Sequence, residues 1–136
     1  MSERGYFRRN GGFRVSVNKD ELDIPFIHSF LRESYWAKDI PIRLVEESIE
    51  NSKCFGLFIE SMQIGFARVV TDYVTFGYLA DVFVIEKYRG RGLASWLIQC
   101  CMEHDDLKSL RRWMLVTRDM QQLYKKFGFS LILVLP

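Results

Sequence analysis

The sequence predicts a single α/β domain on a mixed sheet. The chain has 136 residues, enough for one sizeable core and too few for a second. Segments with strand periodicity interleave with segments whose apolar residues recur at helical spacing. In order they read β-α-α-β-β-β-α-β-α-β, and no internal repeat or linker divides them. The whole chain, 1–136, is therefore read as one domain.

Composition narrows the function classes. Apolar residues make up 49 % and charged residues 26 % of the chain, as in ordinary globular proteins. Eleven Phe, six Tyr and three Trp argue against disorder. A net charge of +2 lacks the strongly basic face of a nucleic-acid binder. No apolar run reaches the roughly 18 residues of a membrane span. The N-terminus has charge but no apolar signal-peptide core. Cys54 and the adjacent Cys100 and Cys101 make a poor disulfide framework, so a reducing, cytoplasmic setting is expected. His28 and His104 stand far apart, and no Cys/His cluster has metal-ligand spacing, so no metal is expected.

The elements follow in chain order. Residues 1–12, with Arg4, Arg8 and Arg9, read as a solvated, flexible terminal segment. FRVSVN (Phe13–Asn18) alternates as a half-buried strand. In KDELDIPFIHSFLRES the stripe Leu22, Phe26, Phe30 predicts a helix that Asp20 can cap, with Pro25 tolerable only in its first turn. DIPIRLVEESIEN predicts a second helix with Val45 and Ile49 inward. Between them lie Tyr35 and Trp36, which either pack on the core or line a pocket. CFGLFIE and IGFARVVTDY form a hairpin across a short polar link. YLADVFVIE (Tyr78–Glu86) is nearly all apolar and predicts a central strand, interrupted by Asp81. LASWLIQCCMEH (Leu93–His104) is an amphipathic helix that makes the cysteines core residues. RRWMLVT is a strand. RDMQQLYKKFGF is a helix with a capping box at Asp119 and Gln122 and a left-handed stop at Gly128. SLILVLP is a last strand.

The chemistry concentrates in YRGRGLA (Tyr88–Ala94). A strand enters this turn and a helix leaves it. The helix's first free N–H groups and its dipole point into the turn. Gly90 and Gly92 allow close backbone approach, and Arg89 and Arg91 add charge. Together they form an anion site suited to phosphate or pyrophosphate. The P-loop pattern fails because no lysine follows Gly92. The G-x-G-x-x-G pattern fails in its third place, Ser95, and lies too late in the chain.

Arg89-Gly90-Arg91-Gly92-Leu93-Ala94 resembles the R/Q-x-x-G-x-G/A signature of the GNAT N-acetyltransferases. LYKKFGF (Leu123–Phe129) is similar to that family's LYxKxGF helix end about thirty residues later, and the element order matches from Phe13 to Leu135. The resemblance implies the GNAT fold, a mostly antiparallel mixed sheet flanked by helices. It also implies acetyl-CoA as co-substrate and an acceptor amine, on a small molecule or a peptide, attacking directly in a ternary complex. The glycine turn, Arg89 to Ala94, would hold the pyrophosphate. Phe83, Val84 and Ile85 would meet the pantetheine arm, and the N–H of Phe83 or Val84 would polarise the thioester carbonyl. Tyr124 would protonate the departing thiolate. Thr117 stands roughly where many members carry an arm-contacting Asn. Asp81, an acid in an apolar strand, is a base or a structural anchor. Asp72 is a weaker candidate for a cationic acceptor, and Tyr35, Trp36, Tyr73 and Phe76 would line its pocket. The family commonly continues into one more strand. Here the chain stops at Pro136, so the sheet is shorter, or a second copy completes it as a homodimer. The alternative is a non-catalytic acyl-CoA-binding module or sensor on the same fold.

Overall fold

The structure, a computed structural model, describes residues 2–3, 6–118 and 120–130. Among these, seven strands form one mixed sheet in sequence order: β1 (Ser2–Glu3), β2 (Tyr6–Arg9), β3 (Phe13–Ser16), β4 (Lys53–Ile59), β5 (Met62–Thr71), β6 (Phe76–Val84) and β7 (Arg112–Met114). Every pairing is antiparallel except β6 with β7. That last pairing is parallel because the connection between its strands carries a helix, as a crossover requires.

Helices cover both faces. On one side α1 (Ile24–Leu31) and α2 (Ile42–Glu50) place Ile27, Leu31, Val45 and Ile49 against Phe66 and Phe83. On the other, α3 (Leu93–Glu103) and α4 (Gln121–Lys125) place Leu93, Leu97, Cys101 and Tyr124 against Phe55, Leu57 and Val69. Burying each large apolar side chain is worth about 1.5–3 kcal/mol. The long, apolar middle strands β4 and β5 are buried along most of their length, as strands covered on both faces must be.

Several boundaries differ from the sequence reading, each for a local reason. Lys19–Glu21 forms a 3-10 turn. Asp23, not Asp20, then caps α1, its side chain accepting from Phe26 N at 3.0 Å with Pro25 in the first turn. The central strand starts at Phe76 and ends at Val84, because Glu86–Tyr88 turns as a 3-10 segment. The last helix is shorter than its pattern. Thr117 Oγ1 accepts from Met120 N at 3.1 Å and α4 begins only at Gln121. Gly128, at φ 92, follows it in the left-handed conformation. Residues 6–9, read as part of the flexible terminus, pair along β3 as β2. The capping residue Asp119 and most of SLILVLP lie outside the described residues. Among the described residues no helix is long and apolar enough to cross a membrane.

Candidate active site

The site forms where β6 loses its neighbour. β7 pairs with β6 only over Phe76–Tyr78, so among the described residues Leu79–Val84 have β5 on one side and an open edge on the other. A bulge bends β6 within this stretch. Between the pairs Phe66↔Phe83 and Arg68↔Ala80, β6 carries one residue more than β5. Asp81 sits there at φ 55, a left-handed conformation that Asp tolerates better than most residues.

The backbone past the bulge alternates. Ile85 N–H donates to Ile64 O at 2.9 Å, so Phe83, two residues earlier, also turns its N–H and C=O toward β5. Consistently, a Cβ added at Gly65 of β5 would fall 2.7 Å from Phe83 O. Val84 therefore turns the opposite way. Its carbonyl accepts from Arg89 Nε at 2.9 Å, and its N–H faces the open edge. Of the two N–H groups named from sequence, that of Val84 is the one turned away from β5. The Phe83 ring packs under α1 instead, stacked on Phe30 at 3.8 Å between centroids.

The glycine turn follows at once. Gly90 and Gly92 have φ 79 and 73, and a Cβ at Gly90 would meet no atom within 4 Å. The turn therefore needs glycine for its backbone angle rather than for space. α3 starts at Leu93, with Gly92 as its N-cap and Ala94 in the first turn. Arg91 lies 5.3 Å over the Tyr88 ring. Arg89 holds the turn to the end of β6 through its bond to Val84 O. A residue read from sequence only as part of the solvated terminus closes the turn from behind. Arg9 of β2 donates to Arg91 O at 2.9 Å and to Gly92 O at 3.3 Å.

Tyr124 of α4 is buried, its ring edge-on to Phe129. With Trp113, Leu115, Thr117, Gln121 and Phe129 it lines a cavity of about 260 Å³. Burial, with Cys101 and Tyr35 nearby, pushes its hydroxyl up to about 12, so it remains a proton-bearing donor at any physiological pH. The thiols are inert by the same physics. Burial raises Cys54 to about 11 and Cys100 to about 12, and lifts Cys101 well above the thiol range.

On the other side of β6 the loop between α1 and α2 reaches the bulge. Asp81 accepts from Trp36 Nε1 and from Arg68 Nε, each at 2.9 Å. Arg68 also donates to Ser52 Oγ at 3.0 Å. Tyr35 OH accepts from Arg118 N at 3.1 Å, and the Arg118 guanidinium lies 3.8 Å from the Tyr35 ring centre. The structure thus brings Tyr35, Trp36 and Asp81 together beside the open edge. Asp81 is engaged through both oxygens. Arg68, its partner, was not singled out from sequence, although a basic residue inside an apolar strand signals a paired charge.

The remaining pocket residues go elsewhere. Asp72 builds the β5–β6 turn, accepting from Val74 N, Thr75 N and Thr75 Oγ1. These bonds, led by the Thr75 hydroxyl, hold its carboxyl well below the usual range. Its carboxylate oxygens thus serve the turn itself. Tyr73 and Phe76 sit on that same turn, exposed, at the end of β6 away from the glycines. Phe76 is five residues from Asp81, about 16 Å along a strand.

Comparison with known proteins agrees with this geometry. The profile of the acetyltransferase (GNAT) family matches residues 17–129. A Gibberella zeae protein assigned as an acetyltransferase is 32 % identical over 85 % of this chain and 77 % of its own. A solved Xanthomonas campestris structure assigned to the GNAT acetyltransferases is 47 % identical. It superposes with a TM-score of 0.86 over 89 % of this chain and 86 % of that one. The fold is also that of a GNAT family acetyltransferase from Elizabethkingia anophelis, solved with acetyl-CoA bound. That protein has a TM-score of 0.70 at 15 % identity, covering 89 % of this chain and 78 % of that one. The chain belongs to the acetyltransferase (GNAT) family.

Proposed function

We propose that this chain is an acetyl-CoA-dependent N-acetyltransferase, in which an amine attacks the donor while both are bound. The observation that carries the reading is the open edge of β6. It places the Val84 N–H just before a left-handed glycine turn, and Val84 shares a buried cluster with Tyr124. Acetyl-CoA supplies a thioester whose carbonyl an amine attacks, releasing the thiol.

The residues divide the work. The N–H groups of the glycine turn and the first turn of α3, Gly90 to Ala94, bind the pyrophosphate with Arg91. Arg89 fixes the turn to β6. Val84 N–H, beside Ile85 and over the Phe83 side chain, polarises the carbonyl where negative charge develops. Thr117 lines the arm's path. Tyr124 O–H donates a hydrogen bond to the leaving sulfur. With its pKa pushed up to about 12, donation stabilises the thiolate more than complete transfer does, since ordinary thiols titrate near 8.5. Asp81 anchors Trp36 to the bulge, and the amine's proton leaves to water along the exposed rim formed by Tyr35 and Trp36. That aromatic rim accepts an amine, on a small molecule or a peptide, with apolar surface next to the nitrogen.

An amine panel assayed by thiol release from acetyl-CoA tests this reading. At least one amine accelerates release, and Tyr124→Phe lowers turnover at least about tenfold while acetyl-CoA affinity changes little. Full turnover in Tyr124→Phe would remove it from the mechanism. Tight acetyl-CoA binding without release by any amine would favour an acyl-CoA-binding module.

A further inference from the structure

We infer that Arg9 is a positioning residue for the donor's pyrophosphate, acting from behind the glycine turn; this rests on the acetyl-CoA reading above. Arg9 ends β2, opposite Phe13, more than eighty residues from its targets. Its two terminal nitrogens hold two successive carbonyls, Arg91 O at 2.9 Å and Gly92 O at 3.3 Å. Successive carbonyls of an extended chain point apart. Here they converge because Gly92 sits at φ 73 between them.

The consequence follows from peptide geometry. No peptide bond in the described residues is cis, so each C=O opposes the N–H of the next residue. With the carbonyls of Arg91 and Gly92 turned to Arg9, the N–H groups of Gly92 and Leu93 face the opposite side together. Adjacent N–H groups converging about a left-handed residue make an anion-binding concavity. The guanidinium at the carbonyl ends also polarises both peptides, so their N–H groups donate more strongly. Trp96, one turn into α3, lies 5.8 Å from the Arg9 guanidinium carbon and keeps the fork in place. Lysine cannot reproduce this, because a single ammonium lacks the planar fork that spans two acceptors.

Arg9 could also merely tie β2 to the domain, and the test separates the two roles. Wild type, Arg9→Ala and Arg9→Lys are titrated calorimetrically with acetyl-CoA. S-acetylpantetheine, which lacks the pyrophosphate, is titrated in parallel, and thermal midpoints are recorded. Arg9→Ala weakens acetyl-CoA about tenfold and Arg9→Lys at least about threefold, while both bind S-acetylpantetheine within about twofold of wild type. Equal losses on both ligands, full recovery by lysine, or unchanged acetyl-CoA affinity in Arg9→Ala would each overturn the inference. If Arg9→Ala does not fold, Arg9→Lys alone decides by the same criteria. Failure of wild type to bind acetyl-CoA defeats the underlying reading and this inference with it. Failure of the variants to differ defeats only the role of Arg9.

Discussion

At the C-terminal end of β6, the groups offered to a ligand are main-chain: the Val84 N–H and the N–H groups that follow Gly90 and Gly92. At the bulge, three residues before Val84, they are side chains: Tyr35, Trp36 and the Asp81–Arg68 pair, with Asp81 accepting from Trp36. The two regions adjoin, yet they are built differently. Backbone angles and a helix start define the first, whatever the neighbouring side chains. A loop from one face of the sheet, tied to a strand through an ion pair, defines the second.

Removing the anchor gives the largest effect expected of the acceptor side alone. Asp81→Ala leaves Arg68, whose side chain is 18 % exposed, without its carboxylate and the Trp36 indole without its acceptor. The expected loss is about 2–3 kcal/mol by urea unfolding. Acetyl-CoA affinity should stay within about twofold of wild type. Loss of donor binding in parallel with stability would show that the two regions are one cooperative unit.

A smaller effect comes from pH. Tyr124 ionises near 10 in the unfolded chain and near 12 in the fold. Its contribution is fully present below pH 10 and is lost as pH rises toward 12. Tyr124→Phe should make the fall of stability between pH 10 and 12 shallower, by up to about 1.4 kcal/mol per pH unit. Buried Cys54 and Cys100 fall away in the same direction and remain in the variant, so the slope does not vanish. An unchanged slope would place the Tyr124 hydroxyl in water. The smallest effect is at the far turn. Asp72→Asn keeps an acceptor oxygen for the turn and should change turnover less than about twofold. A large rise in acceptor KM would move the acceptor site to the β5–β6 turn.

The same contrast explains what could be read from the sequence. Gly90 and Gly92 were legible because a strand, two close glycines and an amphipathic helix leave few backbone solutions. LYKKFGF was legible because its spacing to the glycines is long but regular. Asp81 stood out as an acid within an apolar strand, but sequence alone could not show that both of its oxygens are taken. Asp72 stood out as an acid in a turn-like segment, but the sequence did not show that Val74 and Thr75 donate to it in an Asx turn. Tyr73 and Phe76 were grouped with Tyr35 and Trp36 by aromatic character, whereas the strand length of β6 separates them. Arg9 carried no signal. One arginine in a basic terminal stretch looks like any other until the sheet brings β2 beside the start of α3.

The central claim is that a left-handed backbone at Gly92 makes the donor site. It is tested most directly by titrating acetyl-CoA into wild type and Gly92→Val by calorimetry. A Cβ at Gly92 would come no closer than 3.7 Å to Arg9, so the first added carbon meets only ordinary contact. At φ 73, however, a β-branched residue is strained by about 1–3 kcal/mol and drives the turn out of shape. The expected result is micromolar binding by wild type and at least about a hundredfold loss in Gly92→Val, with the variant still folding cooperatively. Binding by folded Gly92→Val within about twofold of wild type would contradict the claim.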